Sequence, residues 1–439
     1  MNYEQTVEYL YGIRLFGIKL GLENIRALLR LMGDPHATPP LGGRFIHIAG
    51  TNGKGSVAAM LNAIGQRAGF RVGLYTSPHL VSFCERIQVN NRPIDRADLV
   101  RLVSEIRPLM QQVAAMPDHA HPTFFEAVTA VALRYFQEHR CDLVVWETGM
   151  GGRLDATSVV TPLVNVITNV QRDHAAYLGE TIPQIAAEKA GIITTGAPVV
   201  TAAADPEALD VITRAANEAH APLTVVRRED YRDLGEGAGG QHVRMNPGGF
   251  RGSGLDCTVP LLGPHQAINA ATAVAAARIA LGVSDDVLRQ GLAATHWPGR
   301  FQVIPGKPTL VVDGAHNPAA AEALRATLQQ HFGQQPLTII LGILRDKDCE
   351  AFCRSLVPGA TEVLTVRVPS ERTSNPVELA EICHRVAPQV PARNANTLAA
   401  ALEETRGRDG VVVVTGSLYL VGEALALLEG RPVEAGLNQ

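Results

Sequence analysis

The chain carries no CxxC pair, no block of basic residues, no low-complexity tract and no repeat of solenoid period, and each absence removes a class of protein. Its six cysteines (Cys84, Cys141, Cys257, Cys349, Cys353 and Cys383) lack the spacing of a zinc site or a disulfide scaffold. Cys349 and Cys353 could share a helix face, but without further cysteines or histidines at ligand spacing they read as core thiols. Lysines and arginines are scattered among acids, and a net charge of −4 offers no footprint for nucleic acid. No apolar run reaches membrane-spanning length, since AINAATAVAAARIALG (267–282) is interrupted by Asn269, Thr272 and Arg278. The opening MNYEQTVEYLYGIRLFG has no basic stretch leading into an apolar one, so no secretory signal is expected. A reducing, cytoplasmic setting is the expectation, without membrane or nucleic-acid partners. No coiled-coil seam or interface stripe is evident, so a monomer is the default.

What is present is globular: 46% apolar and 19% charged residues over 439 positions, enough for two domains or three. RFIHIAG (44–50) reads as a strand, GKGSVAAMLNAIGQRAGF (53–70) as a helix and RVGLYTS (71–77) as the next strand. With DLVVWE (142–147), PLVNVITN (162–169) and a helix over 121–139, this predicts an α/β domain with a mostly parallel sheet. From 223 to 262 the texture turns glycine-rich, consistent with hairpins and loops, and helix returns over 264–294. THWPGRFQ (295–302) combines Pro and Gly and reads as a linker, dividing the chain into 1–295 and 296–439. TLVVD, LTIILGI, EVLTVRV and GVVVVTGS, alternating with helices, predict that the second part is a doubly wound, Rossmann-like α/β domain.

The loop AGTNGKGS (49–56) departs from the common phosphate-loop spelling G-x-x-x-x-G-K-[ST], because Ile48 and Gly55 stand where Gly and Ser or Thr are usual. Its physics is nonetheless that of a phosphate site. Gly50, Gly53 and Gly55 let main-chain N–H groups approach anionic oxygens, and the loop opens a helix whose N-terminus favours anions. Lys54 can reach β- and γ-phosphate oxygens, while Thr51 and Ser56 supply hydroxyls near phosphates or a metal. ATP is the expected ligand, with Thr51, Asn52, Gly53, Lys54, Gly55 and Ser56 around it. GMGGRLD (149–155) lacks a full G-x-G-x-x-G, so dinucleotide binding is not expected.

GTNGKGS resembles the ATP-binding loop of the Mur ligase superfamily, and within it the folylpolyglutamate synthase and dihydrofolate synthase family. YTSPHL (75–80), ETGMGGRLDAT (147–157), EKAGII (188–193), NAATA (269–273), PGRF (298–301) and DGAHNP (313–318) carry the same resemblance along nearly the whole chain. It implies an N-terminal P-loop ATPase-like domain and a C-terminal ligase domain. The implied reaction is ATP-dependent amide formation, in which a carboxylate attacks the γ-phosphate and the resulting acyl phosphate is aminolysed to an amide, ADP and phosphate.

Joining two anions requires Mg²⁺ and cationic groups. Glu147 closes an aliphatic strand and Ser77 closes its neighbour, and both are oxygen donors of the kind Mg²⁺ prefers. The resemblance implies one Mg²⁺ on Ser77 and Glu147, and a second on Glu147 and His174. The family usually has leucine before the Asp-His pair, where this chain has Arg172. The resemblance further implies a carbamylated Lys189, nucleotide contacts from Asn269, Arg300, Asp313 and His316, and catalytic roles for Lys54, Lys189, Arg300 and His316. By residue chemistry alone Asn317 is an N-cap and Pro318 the first helical residue.

Only some 43 residues precede the first loop strand, too few for a domain that holds a uridine nucleotide sugar. FGIKLGLENI (16–25) resembles the family's folate-site segment, with Lys19, Leu20 and Gly21 at the matched positions. Thr123, Phe124, Phe125 and Glu126 resemble its pterin-contacting segment, as do Leu154, Asp155 and Ala156. Phe124 and Phe125 could stack on a flat pterin, although phenylalanines at the start of a helix are more commonly core residues. The expected substrates are therefore ATP, L-glutamate and either dihydropteroate or reduced folates. Two alternatives stand beside this: a Mur-type ligase on another carboxylate, and a nucleotide-binding regulatory module.

Overall fold

The computed structural model describes residues 1–13, 21–173, 175–194, 196–237, 239–246 and 254–431. The chain divides into two compact units. The first comprises Met1–Ser77, Cys84–Pro260 and Ala267–His296; the second comprises Pro78–Phe83, Leu261–Gln266 and the chain from Trp297 onward.

In the first unit the strands are β1 (Phe45–Ala49), β2 (Val72–Tyr75), β3 (Ile87–Val89), β4 (Arg92–Pro93), β5 (Leu143–Glu147), β6 (Pro162–Ile167), β7 (Val199–Thr201) and β8 (Leu223–Val225). They form one sheet in the order β4-β3-β2-β5-β1-β6-β7-β8, parallel from β2 to β8, with β3 and β4 added antiparallel at one edge. Every residue of β1, β2 and β5 is buried, as expected where helices cover both faces of a parallel sheet. The register aligns Ile48 with Glu147 and Tyr75 with Trp146, so the loops after β1, β2 and β5 emerge side by side at the carboxyl edge.

The helix Lys54–Arg67 follows β1 and is covered by the helix Asp285–Ala293, where Gly291 lies so close to Ile64 that a Cβ would stand 2.6 Å from its Cα. The glycine-rich excursion is an antiparallel sheet of β9 (Tyr231–Gly237), β10 (Gly240–Met245) and β11 (Leu255–Val259), in the order β11-β10-β9. The expected helical stretch 264–294 is two helices, Pro264–Leu281 and Asp285–Ala293. Gly282 has φ +61°, which ends the first, and the Ser284 hydroxyl caps the second.

The second unit contains β12 (Gln302–Ile304), β13 (Thr309–Val312), β14 (Leu337–Leu341), β15 (Glu362–Thr365), β16 (Ala392–Asn394) and β17 (Val411–Thr415). Their order is β12-β13-β17-β14-β15-β16, parallel except for β12. Helices Pro318–Phe332, Cys349–Leu356, Pro376–Val386, Leu398–Thr405 and Leu418–Leu428 alternate with the strands. Leu80 and Val81, from a segment far earlier in the chain, join this unit's core beside Val312, Leu420 and Val421. Among the described residues no helix is long and apolar enough to cross a membrane.

Candidate active site

The first unit's candidate site begins at the end of β1. Gly50 has φ +148°, and a Cβ there would run into the Thr168 hydroxyl. Gly53 has φ +87°, and its Cβ would lie 2.5 Å from Asn269 Oδ1. Both positions therefore require glycine, and the second brings Asn269 against the loop. No side chain caps the helix that starts at Lys54, so its first-turn amides point at whatever the loop encloses. Ser56 is buried in that turn, with Gly55 beside it. Lys54 Nζ donates to the Gly50 carbonyl at 3.0 Å and the Thr51 carbonyl at 3.4 Å.

The loop is braced by the segment after β6, a pairing that no local motif announces. Thr51 N–H donates to the Asn169 carbonyl at 3.0 Å and Asn52 N–H to Asn169 Oδ1 at 2.8 Å. The Thr51 hydroxyl donates to the Gln171 carbonyl and accepts the Gln171 N–H, both at 3.1 Å. Asn52 Nδ2 donates to Gln171 Oε1 at 2.7 Å, and the Thr168 hydroxyl donates to the Asn52 carbonyl at 2.7 Å.

Glu147 ends β5 with a buried carboxylate, and its Oε2 accepts the Ser77 N–H at 3.2 Å. Ser77 and Glu147 are thus neighbours, as the β2–β5 register requires. Lys189, on the helix Ile182–Ala190, is buried. Burial first, and then the Lys54 charge, lower its pKa to about 7 against the opposing pull of Asp173 and Asp155. A phosphate loop, a buried strand-end carboxylate with an adjacent serine, and a lysine held near neutrality form a donor set that suits ATP and Mg²⁺. Magnesium keeps several waters and takes few protein oxygens, so a sparse set of protein ligands is what it needs. His174 lies outside the described residues, as do Lys19 and Leu20.

Asp155 organises the loop after β5. Its Oδ2 accepts N–H groups from Gly149 (3.0 Å) and Met150 (2.9 Å), and its Oδ1 accepts the Thr157 N–H (3.0 Å) and hydroxyl (2.5 Å). Burial pushes its pKa up, although these donors oppose the shift. The Thr157 hydroxyl also meets His47 Nε2 at 3.0 Å, and burial drives His47 down to about 3, so that ring is neutral. Leu154 is half-buried and Ala156 buried on either side of Asp155.

Glu126 is similarly occupied. It closes a capping box with Thr123 at the start of the helix Phe124–Glu138 and accepts the Ile25 N–H at 3.1 Å, just beyond Gly21. Phe124 and Phe125 are half-buried rather than core residues. The Phe124 ring stacks on Tyr11 at 5.5 Å with the Arg86 guanidinium 5.5 Å away, and Phe125 packs against Gly149 and Tyr75.

In the second unit, Asp313 follows β13 and is buried. Its carboxylate accepts the Phe301 N–H at 2.8 Å and the Ala315 N–H at 2.9 Å, which fixes the PGRF and DGAHNP segments to each other. Arg300 lies against Gly314, where a Cβ would stand 2.8 Å from Nη1. His316 Nδ1 lies 2.8 Å from the Gly314 carbonyl, which can only accept, so Nδ1 carries a proton and Nε2 is the acceptor atom whenever the ring is neutral. Asn317 caps the helix through the Ala320 N–H at 2.9 Å, with Pro318 in its first turn. His265 is a group that motif reading passed over. Burial and the Arg300 charge lower its pKa, Asp313 opposes them, and its Nδ1 is buried without a hydrogen-bond partner.

Residues 48–277 match the Mur ligase middle domain, and residues 299–418 match the glutamate ligase domain of Mur ligases. The chain is 39% identical over 441 residues to a probable bifunctional folylpolyglutamate synthase/dihydropteroate synthase of Haloferax volcanii, covering 97% of this chain and 50% of that protein. It therefore spans about half the length of that relative. It is 35% identical over 434 residues to the dihydrofolate synthase/folylpolyglutamate synthase of Bacillus subtilis, covering 96% of this chain and 98% of that one. A solved structure of Mycobacterium tuberculosis folylpolyglutamate synthase complexed with ADP is similar at a TM-score of 0.86 and 35% identity, covering 98% of this chain and 99% of that chain. By its domains and by relatives matched along nearly its whole length, the chain belongs to the folylpolyglutamate synthase/dihydrofolate synthase family of Mur ligases.

Proposed function

We propose that the chain is an ATP-dependent ligase that joins L-glutamate to the carboxylate of dihydropteroate and of reduced folylglutamates, in the cytoplasm and as a monomer. The observation that carries this reading is the braced GTNGKGS loop beside a buried strand-end carboxylate and a lysine whose pKa is lowered to about 7. The names of the relatives supply the folate and the glutamate.

In this reading Thr51, Asn52, Gly53, Gly55 and Ser56 surround the triphosphate, Lys54 leaves its loop carbonyls for the phosphate oxygens, and Asn269 lies beside the nucleotide. Arg300, Asp313 and His316 contact the nucleotide from the second domain, residues 296–439. Ser77 and Glu147 would hold one Mg²⁺, and Glu147 and His174 would serve a second. When bound, Mg²⁺ would supply neutralisation of the phosphate charge; the carboxylate attacks the γ-phosphorus. The β–γ bond breaks and ADP leaves. The glutamate amine then attacks the acyl carbon, the C–O bond to phosphate breaks, and the amine gives up a proton for which His316 Nε2 is a suitable acceptor.

Lys189 is neutral for much of the time near pH 7, the form that adds CO₂ to give a carbamate. Carbamylation converts a cation into an anionic oxygen donor on the metal side of the site. The pterin lies against Lys19, Leu20, Gly21, Thr123, Phe124, Phe125, Glu126, Leu154, Asp155 and Ala156. Given the hydrogen bonds of Glu126 and Asp155, these two act by shaping the segments around the ring.

The test is turnover of purified enzyme with ATP, Mg²⁺ and L-glutamate, run separately with dihydropteroate and with tetrahydrofolate. Glutamate-dependent phosphate release together with a glutamate-sized mass gain on both acceptors is expected. Gain on one acceptor alone would reduce the enzyme to a single synthase, and gain on neither would end the folate reading.

A further inference from the structure

The phosphate-binding loop does not hold its shape by itself. Its hinge glycines remove side-chain contacts, and a loop free to sample many conformations would lose affinity to the cost of ordering it. Gln171 meets both central residues of the loop through three bonds. Its backbone exchanges two hydrogen bonds with the Thr51 hydroxyl, each 3.1 Å, and its side-chain Oε1 accepts from Asn52 Nδ2 at 2.7 Å. Asn169 holds the same two loop residues by their backbone amides at 3.0 and 2.8 Å.

Two residues beyond Gln171 is Asp173, whose charge acts on Lys189. The segment after β6 therefore touches the nucleotide loop at one end and the field around Lys189 at the other. Within this brace the Asn52–Gln171 bond is made wholly by side chains, so it can be removed without altering the main chain.

We propose that Gln171 is a positioning residue of the nucleotide site, which holds the phosphate loop in its binding shape through Thr51 and Asn52 and makes it one body with the segment carrying Asp173. This rests on the reading of the loop as an ATP site. Gln171→Met keeps the length of the side chain but removes the acceptor, and Asn52→Ala removes the same bond from the other side.

Calorimetric titration of the full-length variants with a non-hydrolysable ATP analogue and Mg²⁺ measures the consequence, with thermal melts to verify folding. Each single variant is expected to bind about tenfold more weakly, as loss of a well-formed hydrogen bond in a preorganised site implies. Because the two side chains form one bond, adding Gln171→Met to Asn52→Ala should cause little further loss. In turnover, Gln171→Met should raise KM for ATP more than it lowers kcat.

Unchanged affinity in folded Gln171→Met, or additive losses in the double variant, would overturn the proposal. If either single variant fails to fold, the affinity of the other decides. If the unaltered enzyme does not bind the analogue, it is the nucleotide reading that fails.

Discussion

Lys189 in the first unit and Glu423 in the second are both ionisable groups driven to about 7, from opposite sides of the scale. In Lys189 burial is joined by the charges of Lys54, Asp173 and Asp155. In Glu423, on the helix Leu418–Leu428, burial is the whole cause. Desolvation alone can bring a group to neutrality, so a perturbed pKa marks chemistry only where other charged groups converge on it. Lys189 is a lysine on which other charges converge, and Glu423 is a carboxyl group that burial alone shifts; only the first is a candidate for chemistry.

The largest difference should appear on removing each charge. Lys189→Met keeps the buried volume and deletes the amine, and it should lower turnover about 100-fold, the size of loss seen when a group that orders a metal site is removed. It should leave the melting temperature unchanged or higher, since a neutral side chain suits the buried position better. Labelled bicarbonate followed by carbon NMR should show a carbamate on the unaltered enzyme and none on the variant. Turnover within a factor of two of the parent would make Lys189 another Glu423.

The pH dependence has a determined sign. Between about 7 and 10.5 native Lys189 is neutral while the unfolded chain's lysine holds its proton, so stability from this group rises with pH across that window. Activity that depends on the neutral amine should fall as pH drops through about 7, and added bicarbonate should partly restore it near that point. A rate flat from pH 6 to 8 would remove Lys189 from the mechanism.

Asp155 and Asp313 extend the comparison to uncharged partners. Asp155 folds its own glycine-rich loop by accepting from residues within six positions, whereas Asp313 reaches back twelve positions to Phe301 and joins two segments. Asp155→Asn replaces one fully used oxygen with a donor facing donors, and should cost about 3 kcal/mol. Asp313→Asn should cost about half that, because each of its oxygens accepts one amide N–H and one oxygen survives. Chemical denaturation of both variants checks the order, and equal losses would erase the distinction.

Much of this was legible in the sequence because it is local. A strand, a glycine loop and a helix in succession place Lys54, a strand-end acid places Glu147, and Asn317–Pro318 writes its own helix start. Apolar periodicity alone runs 264–294 together, and the break at Gly282 and the Ser284 cap was not read from the sequence. What else escaped was long-range. Thr51 and Asn52 find Gln171 only because β1 and β6 are neighbours in a sheet whose order is not the order of the chain. Pro78–Phe83 and Leu261–Gln266 belong to the second unit, where Leu80, Val81 and Leu262 pack against its cores, which a boundary drawn along the sequence does not express. Asp155 and Glu126 resemble ligand contacts by motif, and only coordinates reveal how many loop amides they already satisfy.

The smallest effect is expected at Glu423. Its folded pKa of about 7 lies above the ordinary 4.5, so between those values the native state keeps a proton that the unfolded state has lost. Stability from this group is therefore full below about 4.5 and declines as pH rises to about 7, after which it is flat. Partial exposure screens the cost, which leaves about 1–2 kcal/mol. Glu423→Gln removes the charge and keeps the shape. The variant should match the parent near pH 4.5, exceed it above pH 7 by that amount, and turn over at the parent's rate throughout. Denaturation at the two pH values measures the first two outcomes. A loss of turnover in Glu423→Gln would show that the carboxylate serves the reaction after all, and the contrast with Lys189 would no longer hold.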